Sequence, residues 1–486
     1  MKKLVCLVFL LRCVVGLCAQ DAVRMPVLRI SCEMRGSFVK NMDYVNGSME
    51  LTDADGTVVS LPAKFKPRGA TAQSYMMKPS LNMKLRTSDY SAEADSALLG
   101  MRSCSSWILD AMAIDRICMR NRVAFDLWNA YSRLPYDTDF GGRNGTEGRF
   151  VEVYINDKYY GIYCLSDRIN RKLLNLKKVK ENEDGSVLIR GVLYKSGTSD
   201  IGDQNSPGYN ADSTACVISW HNAWELTYPE EYGGKAAWQP LLDAFAEGKS
   251  ADYVRKYFFM ENLVDYQILI MALSIGDNWG NKNHFLSIRN MQKDIDDPDP
   301  TESDRRRYVL TPWDLDTSLG GKYDGGYYDG NYSVWPVAEI SKNALYPISS
   351  VMGEEEYTSQ LKRRWMEVRR GALSVANVSK RLEGYRDLFL KSGAWQRMTD
   401  HYEAARSKPK YVLDLAHEIS LIEQWYRERF AEMDQYFGIM DGIEEREAVS
   451  CQMPDAIYDM QGRRVADGQL KKGLYIRSGK KVLIQR

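Results

Sequence analysis

The residues whose types and spacing could do chemistry sit in two stretches. GDNWGNKNHFLSIRN, residues 276 to 290, holds Asp277, Asn278, Asn281, Lys282 and Asn283, and YVLTPWDLDTSLG, residues 308 to 320, holds Asp314 and Asp316. Carboxylate and amide oxygens are hard ligands suited to magnesium, which takes one or two protein carboxylates and completes its shell with water and phosphate oxygens. The chemistry in view is therefore that of a metal-bound phosphate. Asp and Asn also cap turns, and for one Asp-Asn pair that plainer reading wins. Two clusters, each at the end of an element, bring the chemical reading level with it.

The elements that must position them can be read from the surrounding pattern. FFMENLVDYQILIMALSIG is an apolar run long enough for a helix, with Gly276 placed to stop it in the left-handed conformation. HFLSIR alternates like a strand, an acidic linker follows, and YVL leads into Asp314 as a second strand. Both clusters are thus delivered by one hairpin-like unit behind a rigid helix. The order helix, Asp and Asn loop, strand, turn, strand and second Asp matches the catalytic half of a protein kinase, although neither HRD nor DFG is present. Neither GxGxxG nor GxxxxGK[ST] occurs, so any grip on phosphate is not a standard glycine loop.

Residues 25 to 95 read as strands, with a DADG turn between alternating runs. There KPRGATAQSYMMKPSLNMKL puts Arg68 and Gly69 on a turn and Lys78 and Lys84 beside or on a strand. A strand lysine over a nucleotide acts as a point charge against phosphates, although either lysine alone reads better as a solvated surface residue. From LLGMRSCSSWILDAMAIDRICMRNRVAFDLWNAY a helical spacing emerges, with Asp115 and Arg120 poised to pair. GRFVEVYINDKYYGIYCLSDRIN is a hairpin turning at Asn156 and Asp157, with Gly161 allowing close approach. In a two-lobed nucleotide enzyme the segment leaving such a hairpin can read adenine, which places Asp167 and Arg168 at that hinge.

Taken in order, RGATAQSYMMKPSLNMKL, WILDAMAIDRICMRNRVAFDLW, FVEVYINDKYYGIYCLSDRIN, GDNWGNKNHF and TPWDLDTSLG resemble the spore-coat protein H (CotH) kinase family over residues 25 to 440. The resemblance implies an α+β, atypical two-lobed protein-kinase-like fold with a β-rich N-lobe and a helical C-lobe. It also implies transfer of phosphate from ATP to serine or threonine of a protein substrate, with Mg2+ as the metal. Carried across by motif, Asp277 matches the catalytic-loop aspartate, Asn281 and Asn283 its amide companions, and Asp314 and Asp316 the carboxylates of the WDLD signature. Asp277, Asn283, Asp314 and Asp316 are then the metal ligands. Arg68, Lys78 and Lys84 match the family's N-terminal RG and lysine pattern, and Asp167 stands where many members carry glutamate. Met77 replaces the first of the family's paired lysines. A non-catalytic surface binding or adhesion protein on the same fold, and another ATP-dependent transfer such as adenylylation, are the competing readings.

The rest of the chain sets location and exclusions. MKKLVCLVFLLRCVVGLCA, residues 1 to 19, has the basic start, apolar middle and small-residue end of a secretory signal peptide. Cys18 invites a lipoprotein reading, but Leu17 is large where a small residue is expected. No other run approaches a membrane span. Without residues 1 to 19 the chain has 62 basic and 65 acidic residues, giving no broad footprint for nucleic acid. Six cysteines remain, widely spaced and without a CxxC pair. DIDDPDPTESD, residues 294 to 304, lacks the glycine and final glutamate of a calcium loop, and GGKYDGGYYDGNYS, residues 320 to 333, reads as a glycine-rich flap near the site. Between the lobes, Trp220, Trp224 and Glu225 are contact candidates for a substrate groove, with burial of the aromatics the stronger reading.

After Pro409 a helix aligns Leu415, Ile419, Ile422, Tyr426, Phe430, Met433 and Phe437. His417 and Glu418 have no second His at HExxH spacing, and no histidine joins a hydrolase triad. Residues 441 to 450 read as a polar linker. Residues 451 to 486, with eight basic and three acidic residues, read as a small C-terminal β module. This module resembles the sorting tails of proteins exported across the outer membrane by the type IX system, so the export machinery is an implied partner and the surface or medium the implied location.

Overall fold

The computed structural model describes residues 23–439 except 34–36, 70–75, 137–140, 197–214, 219–221, 233–235, 239–254, 256, 279–282, 293–306, 323, 327–336, 338–353 and 405–410, together with the strands of the C-terminal tail. Residues 1–19, Asn281, Lys282, Trp220 and the acidic stretch 294–304 lie outside the described residues. The chain forms two compact units, Met1–Phe437 and Gly438–Arg486.

The first unit begins with seven strands: β1 (Val27–Cys32), β2 (Val45–Thr52), β3 (Val58–Pro67), β4 (Leu81–Leu85), β5 (Ser106–Asp110), β6 (Gly148–Ile155) and β7 (Lys158–Asp167). They close into a barrel in the order β1-β2-β3-β4-β5-β7-β6. Period-two alternation puts Met49, Leu51, Ala63, Phe65, Leu81, Met83 and Leu85 inside, where they pack on Trp107, Leu109, Val153 and Tyr163. Each large apolar side chain buried this way contributes about 1.5–3 kcal/mol. All neighbours are antiparallel except β1 and β6, which pair in parallel from Val27 opposite Glu152 to Ile30 opposite Ile155. That pairing closes the sheet and leaves it no free edge. The β6–β7 turn is made by Asn156 and Asp157, both with positive φ, as two-residue hairpins require.

One strand departs from the sequence pattern. Ser106–Asp110 lies inside the stretch read as helical, yet it fills the gap between β4 and β7. Barrel closure outweighs local preference here. The helix α1 starts only at Arg120 and runs to Tyr131, after Met112 and Cys118 break the backbone with positive φ. Asp115 takes the backbone N–H groups of Ile117, Met119 and Arg120 and pairs with the Arg120 guanidinium at 2.6 Å, so it starts this helix.

After the pair β8 (Lys180–Glu181) and β9 (Val187–Leu188) comes a second sheet. Its strands are β10 (Val192–Ser196), β11 (Ala215–Ile218), β12 (Asn222–Tyr228), β13 (His284–Ile288) and β14 (Val309–Pro312), ordered β11-β12-β10-β13-β14. Between β12 and β13 runs α2 (Met260–Leu273), buried from Asn262 through Leu273. Such a helix is central rather than amphipathic. It stops at Ser274, left-handed at φ 48°, so the expected stop at Gly276 comes two residues early. Asn262 fixes α2 to β14 by accepting from the Leu310 N–H at 2.7 Å and donating to the Leu310 carbonyl at 2.9 Å.

The unit ends in helices α3 (Glu354–Val368), α4 (Val375–Lys391), α5 (Ala394–Ala404) and α6 (Leu415–Tyr436). Along α6, Leu415, Ile419, Ile422, Tyr426 and Met433 are buried and Phe430 half-buried, with Phe437 buried just beyond it. Arg429 reaches from α6 to the Met271 carbonyl of α2 at 2.8 Å. No described helix is long and apolar enough to cross a membrane. The second unit is a four-stranded antiparallel sheet of β15 (Ile457–Tyr458), β16 (Arg464–Val465), β17 (Gly473–Arg477) and β18 (Lys480–Ile484), ordered β16-β15-β17-β18.

Candidate active site

The two sequence clusters meet at one end of the β13–β14 hairpin, where His284 lies opposite Pro312. Asn283 and Asp314, the residues just outside that pair, are both left-handed, at φ 60° and 57°. Asn and Asp tolerate that region better than other side chains, and such backbone strain collects where function holds it. The Trp313 N–H bonds to the Asn283 carbonyl at 2.8 Å, closing the hairpin end. Asn278, buried, ties the two loops together by donating to the carbonyls of Asn283 at 2.9 Å and Trp313 at 2.8 Å. Asp277 donates its N–H to the Thr317 hydroxyl at 3.1 Å, and its carboxylate Oδ2 accepts from Asn283 Nδ2 at 2.9 Å. That bond aims the Asp277 carboxylate and leaves Asn283 Oδ1 without a donor among the described residues.

Asp314 is open to solvent while protein crowds it from several sides. Burial of the charge, followed by the nearby carboxylates of Asp110 and Asp277, raises its carboxyl above the usual range, while Arg68 and Lys195 pull the other way. Asp316 is raised further, by burial and then by Asp314, Asp110, Asp115 and Asp277. Neither carboxylate forms an ion pair or accepts a hydrogen bond among the described residues. Asp110, at the end of β5, was not singled out in the sequence. It accepts from Asn121 Nδ2 at 3.0 Å, and Asn121 Oδ1 accepts from the Leu315 N–H at 3.1 Å, so α1 braces the barrel end against the WDLD turn.

Two cations act on Asp314, Arg68 and Lys195, and a third, Arg168, lies near both. Arg68, just past β3, lies 5.3 Å above the Trp313 ring. Burial lowers its pKa, opposed by Asp110 and Asp314. Lys195 on β10 is also lowered, first by burial and further by Arg68 and Arg168, with Glu225 and Asp314 opposing. Arg168 follows β7. None of the three makes an ion pair among the described residues. Lys195 and Arg168 as partners of Arg68 escaped the sequence reading because a single charge on a strand or turn has no local signature.

The other expected residues stand elsewhere. Lys78 is fully buried: its ammonium donates to the Tyr411 hydroxyl at 2.8 Å and faces the rings of Tyr163, Tyr402 and Tyr411. That enclosure leaves no face for a phosphate, and it equally excludes a solvated lysine. Lys84 points outward from β4, 3.6 Å from Glu93 and over Tyr44. Asp167 is fully buried between Arg102 at 2.7 Å and Arg143 at 2.5 Å, and it accepts the Glu147 N–H at 2.9 Å. Its acceptor sites are occupied by protein, which is what a fold-holding residue requires rather than a hinge that reads a base. Trp224 is buried against His284. The described start of the glycine-rich stretch is a tight turn, with the Lys322 N–H on the Gly326 carbonyl and Gly325 packed on the Ile114 backbone, so this part is pinned rather than a free flap. The described cysteines Cys32, Cys104, Cys118 and Cys164 are free thiols.

Burial pushes Lys78 down to about 8. A lysine lowered on folding is charged in the unfolded chain up to about pH 10, so the folded state gains stability as pH rises from about 8 towards that value. At pH 7 the charged cage costs about 3 kcal/mol, each pKa unit being worth about 1.4 kcal/mol. Lys78→Met is therefore expected to raise the melting temperature at pH 7 and to lose that advantage above about pH 10. A variant less stable at pH 7 would show that the Tyr411 hydrogen bond outweighs the buried charge.

Among the described residues, no three His, Cys, Asp or Glu side chains already converge on an ion position. Magnesium needs only one or two of them beside phosphate oxygens. The mutually repelling, unpaired carboxylates of Asp314 and Asp316 and the undonated Asn283 Oδ1 are hard oxygens that fit it. The model of one protein family, described as CotH kinase protein, matches residues 65–433. No curated protein matches the chain significantly.

Proposed function

Because the chain belongs to the CotH kinase protein family, we propose that it transfers the terminal phosphoryl group of ATP, as its magnesium complex, to a serine or threonine hydroxyl of a protein. The observation that carries this reading is a set of unquenched charges: the Asp314 carboxylate, with Asp316 beside it, acts on the Arg68 and Lys195 cations without pairing to either, and Arg168 stands near both cations. Opposite charges left apart in this way suit a ligand that carries both a metal and an anion. Asp314 and Asp316, with Asn283 Oδ1, would hold Mg2+, which would supply positive charge to neutralise that developing on the phosphate.

In this reading the chain's own groups divide the work. Arg68 binds phosphate oxygens and rests on Trp313. The Asp277 carboxylate, oriented by Asn283, accepts the proton of the attacking hydroxyl as the new oxygen–phosphorus bond forms and the bond to the leaving diphosphate breaks. The barrel then corresponds to the N-lobe and α2 through α6 with the second sheet to the C-lobe of a kinase-like fold. A closed seven-stranded barrel is a departure from an open kinase sheet. Residues 1–19 and 451–486 support export, with the tail as a sorting module for a type IX system.

Mass spectrometry of the intact protein recovered from outside the cell, incubated with ATP, magnesium and casein, tests these readings together. A phosphate added by the wild type and absent with Asp277→Asn is the expected result. An added adenylate would keep the site and replace the reaction, and no modification with no magnesium-dependent nucleotide binding would leave a surface-binding scaffold. The same spectrum should read a chain starting at Gln20; retention of residues 1–19 would overturn the reading of that stretch as a cleaved signal peptide.

A further inference from the structure

We propose that Lys195, with Arg168 beside it, contacts the phosphates of the bound nucleotide, so that the second sheet builds part of the donor site; this rests on the nucleotide reading above. The placement follows from register. Lys195 pairs with Phe285 across β10–β13, and Phe285 pairs with Thr311 across β13–β14, so these side chains share one face of the sheet. Leu193, Phe285 and Val309 on that face form a core with Ile169 and Leu173. The face therefore runs from a packed apolar patch, laid on the segment that follows Arg168, to Lys195 near the strand's end.

Phe285 meets the Trp313 ring edge-on at 5.8 Å, and Arg68 lies over the same indole. Trp313 precedes Asp314, whose carboxylate acts on Arg68 at the end of β3 and Lys195 at the end of β10, and Arg168 at the exit of β7 acts on both of these cations. A chain with equal numbers of basic and acidic residues has no need to gather three unpaired cations in a partly desolvated cleft. Their mutual repulsion is relieved by a polyanion that offers an oxygen to each. With Lys78 enclosed by tyrosines, Lys195 is, among the described residues, a lysine placed to supply a point charge here, and Glu225, opposite it on β12, favours its charged form.

Calorimetry on the full chain with MgATP, MgADP and AMP tests the assignment. Lys195→Met is expected to weaken MgATP binding about tenfold or more, to leave AMP binding nearly unchanged, and to melt as the wild type does. Lys195→Arg should recover most of the loss. Equal MgATP affinity in wild type and Lys195→Met would overturn the proposal while leaving the nucleotide reading intact. A uniform loss across MgATP and AMP would overturn it in favour of a structural role. Unchanged nucleotide affinity with a raised KM for the protein acceptor would move Lys195 to the acceptor side. Absence of nucleotide binding by the wild type would remove both readings.

Discussion

With asparagine in place of Asp314, the proposed phosphoryl transfer is expected to fall about 1,000-fold or more, while the nucleotide-free protein melts higher than the wild type. The two effects share one cause. Asp314 is held beside Asp110, Asp277 and Asp316 without an ion pair, and its carboxyl is raised by burial and by those neighbours. A carboxyl raised on folding stabilises the folded state below the unfolded pKa and loses that contribution as pH rises through the folded one, so at neutral pH the ionised group is a net cost. Removing the charge recovers stability and, in the proposed function, removes a metal ligand. Magnesium and ATP should then raise the melting temperature of the wild type and not of Asp314→Asn. Turnover and thermal melts of both proteins check this. A variant that is inactive and melts lower would make Asp314 a structural residue, and full turnover would take it out of the site.

Asp167→Ala should have a comparably large effect on a different quantity. The substitution leaves Arg102 and Arg143 facing an emptied interior position and strips the Glu147 N–H of its acceptor. Breaking a buried ion-pair network by removing one member costs about 3–5 kcal/mol, enough to be a large part of a protein's net stability. Denaturant unfolding of Asp167→Ala should show that loss, with Asp167→Asn intermediate because it retains one acceptor oxygen. A variant of wild-type stability with selectively weaker adenine nucleotide binding would instead restore Asp167 to the hinge.

What could be read in the sequence was what is local. The central helix, the HFLSIR and YVL strands, the turn at Asn156 and Asp157 and the late amphipathic helix each carry their signal within a few residues, and each is present. The juxtaposition of Asp277 and Asp314 was legible because one hairpin spans both. Barrel closure was not, because β1 and β6 pair in parallel across a long intervening sequence and parallel partners announce themselves by no turn. Ser106–Asp110 was hidden inside a helical pattern by the same long-range demand. Lys78 was misplaced because its cage is assembled from Tyr163, Tyr402 and Tyr411, on three remote segments. Arg168 was read only as a hinge residue and Lys195 was not singled out, because only the packing of sheet on barrel makes neighbours of them.

The closure of the barrel also sets an order of assembly. The Cys32 N–H bonds to Asn156 Oδ1 across 124 residues, and Lys78 finds its tyrosine hydroxyl 333 residues downstream. A chain emerging from its amino end therefore carries β1 with one side unsatisfied until β6 arrives, and a lysine with no lid until the last helices form. Contacts that distant make folding slow and late. The barrel and the helical part are not expected to separate by cutting between them, since every fragment ending before α5 strips Glu152 of β6 of its Arg397 partner and uncovers β7 where Gly161 and Ile162 meet Met398. Proteolysis in the second half should thus dismantle the first.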